Sequence, residues 1–104
     1  MPFVKIDTAT SGQGALVAAV SGRKIRVINY GIIASGAVTV KFQSASTDLT
    51  GAMSIAANGG ISASGTALGP NGFFGVFETA SGEALNINLG GAIQVSGHLG
   101  YVVI

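Results

Sequence analysis

Along most of this chain apolar and polar side chains change places every second residue, the period of an extended strand with one face turned to an apolar core. The clearest run is Ile93, Val95, Gly97, Leu99, Tyr101 and Val103, set against Ala92, Gln94, Ser96, His98, Gly100 and Val102. Just before it Leu85, Ile87 and Leu89 alternate with Asn86 and Asn88, and Gly90-Gly91 supplies two residues able to take positive φ at a tight turn. Residues 84–104 are therefore expected to form a β-hairpin. Upstream, Ile25 and Val27 alternate with Lys24 and Arg26. Val38, Val40 and Phe42 then alternate with Thr39, Lys41 and Gln43 beyond a break at Ser35-Gly36, which predicts a second hairpin-like pair. Shorter strands are expected at 2–6, 14–20, 52–57 and 73–77, separated by turn residues such as Ser11-Gly12, Ser21-Gly22, Asp48-Leu49-Thr50-Gly51, Asn58-Gly59-Gly60 and Ser81-Gly82. No stretch of ten residues carries a helical apolar stripe free of Gly. Seven to nine short strands with Gly-rich turns predict an all-β fold, an antiparallel β-sandwich or jelly roll, with a small barrel as the alternative.

Two strands depart from one-sided alternation. In Phe73-Phe74-Gly75-Val76-Phe77 the side of Phe73 and Phe77 and the side of Phe74 and Val76 are both apolar. At the end of the chain Val102 and Ile104 are apolar opposite Tyr101 and Val103. A strand apolar on both faces is covered on both faces. The second cover is either another subunit or a loop such as 57–72, with neither favoured. Phe73, Phe74, Val76, Phe77, Tyr101, Val102 and Ile104 are thus candidate oligomer-interface residues.

Charge sharpens this picture. The 104 residues, read as one domain, include only 9% Asp, Glu, Lys and Arg at a mean hydropathy of +0.61, where soluble domains devote about a quarter of their residues to charge. Every Lys and Arg lies in the first 41 positions, accompanied by Asp7; the remainder carries only Asp48, Glu78 and Glu83. A surface so poor in charge is expected to be covered, by copies of itself or by a larger partner. Cys is absent, so neither disulfides nor a thiolate site is available. The opening Met1 to Asp7 lacks a basic stretch followed by an apolar core, so no secretory signal is expected. The longest purely apolar run, Ala15 to Val20, is far short of the roughly 20 residues a membrane-spanning helix needs.

Catalytic chemistry has little to work with. His98 is the single histidine, on the polar side of the last strand, and the four acids are scattered. A lone His without a neighbouring carboxylate reads as an exposed or interface residue. Glu78 and Glu83 flank Thr79-Ala80-Ser81-Gly82 and would approach each other across a hairpin, as glycosidase carboxylates do, but solvated turn residues are the simpler reading. No clustered acids form a Ca²⁺ loop, and Gly12-Gln13-Gly14 and Gly22-Arg23-Lys24 lack phosphate-loop spacing. No enzyme, cofactor or metal is expected. The dense charge is Arg23-Lys24-Ile25-Arg26. With no interleaved aromatic it is thin for nucleic acid. It fits protection of a strand against aggregation slightly better than contact with an acidic protein surface.

Three segments, KIRVINYGIIASGAVTVKF (24–42), QSASTDLTGAMSIAANGGI (43–61) and ETASGEALNINLGGAIQVSGHLGYVVI (78–104), together resemble the small all-β virion proteins of tailed bacteriophages and prophages. The likeness lies in pattern and texture over about the last 80 residues and brings no shared site motif to transfer. Such proteins serve as capsid decoration, or cement, proteins, commonly trimeric and seated where capsomers meet; others form parts of head or tail fibres. The resemblance implies a structural virion protein, a homotrimer whose partners are itself and the major capsid protein, without nucleic acid or membrane. Arg23, Lys24 and Arg26 are then the candidate capsid contacts. A head- or tail-fibre module that binds a receptor or carbohydrate shares the fold. It is less favoured, since Trp is absent and Tyr occurs only at 30 and 101, leaving little to stack on sugars.

Overall fold

A computed structural model describes residues 3–64 and 76–104. Its regular elements are all strands: β1 (Phe3–Thr8), β2 (Gly12–Val17), β3 (Ile25–Ala34), β4 (Val38–Ser44), β5 (Thr47–Asp48), β6 (Met53–Ile55), β7 (Gly60–Ser64), β8 (Phe77–Glu78), β9 (Leu85–Leu89) and β10 (Val95–Val103). They form two antiparallel five-stranded sheets packed as a sandwich. The first sheet runs β1-β10-β3, with β7 and β8 sharing the far side of β3; the second runs β2-β9-β4, with β5 and β6 sharing the far side of β4. The expected antiparallel β-sandwich is what forms.

The expected hairpins are not. β9 and β10 lie in opposite sheets, and so do β3 and β4. Alternation identifies an apolar face but not the neighbour that bonds the strand's edge. Two consecutive strands can bury their apolar faces against each other when the link between them arches over the end of the core, and here it does so repeatedly. Gly90 and Gly91 accordingly do not take a positive φ. Gly90 is needed for close approach instead, because a Cβ there would run into the Thr39 hydroxyl. Two further expectations change. Asp48, read as a turn residue, pairs with Gln43 in β5, and the Gly-rich stretch after Asn58 forms β7 against β3.

β3 carries the irregularity that shapes the first sheet. Val27 lies opposite Tyr101 and Asn29 opposite Gly100, so Ile28 is an extra residue in the register, a β-bulge. Ile25 and Val27 point inward before it, and Tyr30, Ile32 and Ala34 point inward after it. The core between the sheets is filled by Ile6, Ile25, Val27, Leu99 and Val95 from one side and by Val40, Phe42, Leu85, Ile87 and Leu89 from the other. Burying each such side chain contributes about 1.5–3 kcal/mol. Phe77 completes the core, with its ring 5.6 Å from Phe42 and 6.3 Å from Tyr30.

The chain after β8 is tied down by polar contacts. Thr79 is buried; its Oγ1 accepts from the Ile25 N–H at 3.0 Å, and its own N–H donates to the Ile25 carbonyl at 2.9 Å. The Ser44 hydroxyl donates to Glu83 Oε1 at 2.5 Å and accepts from the Ala80 N–H at 2.9 Å.

Candidate interaction face

The strand register sets which side chains share the outer surface of the first sheet. Asp7, Ser96, Ile33 and Gly60 form one row across β1, β10, β3 and β7. Lys5, His98, Gly31 and Ser62 form the next, and Phe3, Gly100, Asn29 and Ser64 the third. Beyond the bulge, Val102, Arg26 and Glu78 form a fourth row across β10, β3 and β8. Five large apolar side chains are exposed among the described residues: Phe3 (72%), Ile33 (61%), Ile104 (43%), Val20 (39%) and Val76 (38%). All but Val20 belong to this surface. Phe3 and Ile33 stand in its rows, Ile104 follows Val102 and Val76 precedes Glu78 in strand alternation.

Small residues dominate the middle of the face. Gly31, Gly60, Ser62, Ser96, Ile33 and His98 border a shallow concavity of about 430 Å³. A Cβ at Gly31 would come within 3.3 Å of His98 Cε1, so the missing side chain is what lets the imidazole lie across β3. Part of the charge on this face is paired, while Lys5 and Asp7 stand exposed in its rows. Glu78 bridges Arg26 Nη2 at 2.6 Å and Lys24 Nζ at 3.1 Å. The Arg26 hydrogen bond foremost, then that of Lys24, holds the Glu78 carboxyl below its ordinary value against the opposing effect of burial. Asp7 Oδ1 accepts from Gln94 Nε2 at 2.6 Å.

The opposite surface, on the second sheet, has another chemistry. Gln13, Lys41 and Asn88 share a row there, as do Ala15, Gln43, Asp48 and Asn86. Gln43 Oε1 accepts from Gln13 Nε2 at 3.1 Å and Asn88 Nδ2 at 3.3 Å, while Gln43 Nε2 donates to Asp48 Oδ1 at 2.8 Å. Gln13 and Asn86 both donate to the Ala45 carbonyl. Lys41 Nζ reaches Asp48 at 3.3 Å. The bond from Gln43 first, then Lys41, holds the Asp48 carboxyl below its ordinary value. The sandwich therefore has one carboxamide surface whose polar groups satisfy each other and one surface on which exposed apolar side chains and small residues stand among a few charges.

No protein-family model, curated protein or solved structure matches this chain.

The residues singled out from the sequence fall in different places. Phe73 and Phe74 lie outside the described residues. Phe77 and Tyr101 are half-buried and pack on the inner side against the core. Val76, Val102 and Ile104 stand on the outer face of the first sheet; Val102 is half-buried opposite Arg26, and the Ile104 backbone exchanges two hydrogen bonds with Lys24. Arg23 is exposed in the turn before β3, whereas Lys24 and Arg26 engage Glu78. Glu78 and Glu83 do not face each other across a hairpin, because β8 and β9 belong to opposite sheets; Glu83 serves Ser44 instead. His98 borders the concavity. Among the described residues no three His, Asp or Glu side chains gather where they would hold a metal ion.

Sequence reasoning missed Phe3 and Ile33. Ile33 was concealed by the bulge: counted from Ile25 and Val27 it has the phase of a core residue, and only the extra Ile28 turns it outward. Phe3 left a signal, since Val4 and Ile6 claim the inner phase of β1 and leave Phe3 with Lys5 and Asp7.

Proposed function

We propose that this chain is a non-enzymatic structural subunit that assembles with copies of itself and coats a phage capsid, reinforcing it as capsid decoration proteins do. The observation that supports this reading best is that four of the five exposed large apolar side chains among the described residues, Phe3, Ile33, Val76 and Ile104, stand on the outer face of the first sheet, where Lys24 and Arg26 are already paired with Glu78. Covering these side chains gains about 25 cal/mol for each Å² of apolar surface removed from water. The partner it suits is another apolar, weakly charged protein surface, and the major capsid protein is the partner the resemblance implies. Many copies on one particle make the total reinforcement large even where each contact is weak. Lys24 and Arg26 contribute by ordering Glu78 on this face, and Arg23 is the cation of the cluster best placed to meet a capsid.

The test is to add purified protein to undecorated capsids and follow binding and release of DNA on heating. Decorated particles are expected to retain DNA to a higher temperature than bare ones. Failure to bind, or equal heat resistance of the two particle types, overturns the reading.

A further inference from the structure

The first sheet ends in an unusually regular margin. Among the described residues β1 pairs only with β10, in an unbroken register from Phe3 opposite Gly100 to Thr8 opposite Val95. The other margins are interrupted. β7 and β8 divide one between them, β5 and β6 divide another, and β2 carries a register shift between Ala15 and Val17. Ser64 and Val76, which bracket residues 65–75, both bond to β3 on the side away from β1. A straight margin with unpaired N–H and C=O groups is a template for another strand, and shortness, bulges or a cover are the usual protections.

The charges on β1 say which strand suits it. Lys5 and Asp7 are both exposed, two residues apart on the outer face, with Ile6 between them on the inner face. In antiparallel pairing of two identical strands about Ile6, Lys5 meets Asp7 of the partner subunit and Asp7 meets Lys5 of the partner subunit. On the inner face Ile6 meets its own counterpart. We propose that two copies of this chain join by antiparallel β1–β1 pairing about Ile6, fusing their first sheets into one continuous sheet closed by two Lys5–Asp7 pairs. The contact is isologous and closes as a dimer, in place of the trimer implied by the resemblance. It brings the two apolar outer faces side by side. The inference rests on the self-assembly part of the reading above and needs no capsid, so either can fail alone.

Sedimentation velocity of the full chain over a range of concentrations tests it. Wild type is expected to show a monomer–dimer equilibrium that weakens as salt rises. Lys5→Asp places like charges opposite each other at both pairs and is expected to weaken the dimer about tenfold. Asp7→Lys does the same, and the double variant K5D/D7K restores the wild-type constant to within about threefold. Circular dichroism melts check that each variant is folded, because Asp7 also accepts from Gln94. Should Asp7→Lys fail to fold, Lys5→Asp alone decides: its remaining association must strengthen as salt rises, opposite to wild type. A monomer at all concentrations, a trimer, or association indifferent to these charges overturns the proposal.

Discussion

Glu78 shows how a single carboxylate organises a surface. Its carboxylate holds Arg26 at 2.6 Å and Lys24 at 3.1 Å, so the densest basic cluster of the chain is largely answered within the chain. These bonds favour the ionised form and depress its folded pKa below the ordinary 4.5. The pairs therefore contribute stability that is complete above the unfolded value and is lost as pH falls through the folded one. Glu78→Gln is expected to lower stability at neutral pH by no more than about 1 kcal/mol, the range of partly exposed pairs. Urea melts of the variant should converge on wild type as pH drops below about 4.5. The sequence displayed Glu78 and the cations but not their meeting, which depends on β8 lying beside β3. Residue identity also left the apolar segment before Glu78 undivided; contact with Phe42 and Tyr30 is what assigns Phe77 to the core and leaves Val76 outside.

At the scale of elements, β3 decides most. Its first half turns odd-numbered residues inward and its second half even-numbered ones, with Ile28 as the extra residue between them. The alternation at Ile25 and Val27 was legible because Lys24 and Arg26 punctuate it. Beyond the bulge nearly every position from Ile28 to Ala34 is apolar or small, so the local pattern does not reveal the change of phase. Deleting Ile28 should force one half of β3 to present its core residues to solvent. Such a deletion is expected to cost more than about 4 kcal/mol, enough to abolish a cooperative transition in a thermal melt. Ile28→Val keeps the residue count and is expected to cost only about 0.5–1.5 kcal/mol. Near-wild-type stability of the deletion would show that the bulge does not set the phase.

At the scale of the molecule the two surfaces differ in what they still offer. The carboxamides of the second sheet bond to one another and to the Ala45 carbonyl, while the first sheet presents Phe3, Ile33, Val76 and Ile104 on its outer face, Ile33 beside a shallow, small-residue hollow. The double variant Phe3→Ser and Ile33→Ser removes apolar surface that no core contact uses. It is expected to change folding stability by less than about 1 kcal/mol. Binding to capsids should fall sharply under the proposed function, and a pull-down on capsids with a parallel urea melt separates the two effects. Unchanged binding would move the docking surface elsewhere on the molecule.

The sequence by itself determined that this chain is all-β and poor in charge, because period-two alternation and frequent Gly-rich turns are local properties that each segment states independently. Tertiary structure alone decided which strands are neighbours. Backbone hydrogen bonds carry no side-chain signature, so Leu85–Leu89 and Val95–Val103 read as a hairpin although their apolar faces meet across the core. It also decided which apolar residues remain outside, since Ile33 owes its exposure to one extra residue five positions earlier. An interface built from such residues is visible only once the register is known, because burial depends on the facing sheet while alternation depends on the strand alone.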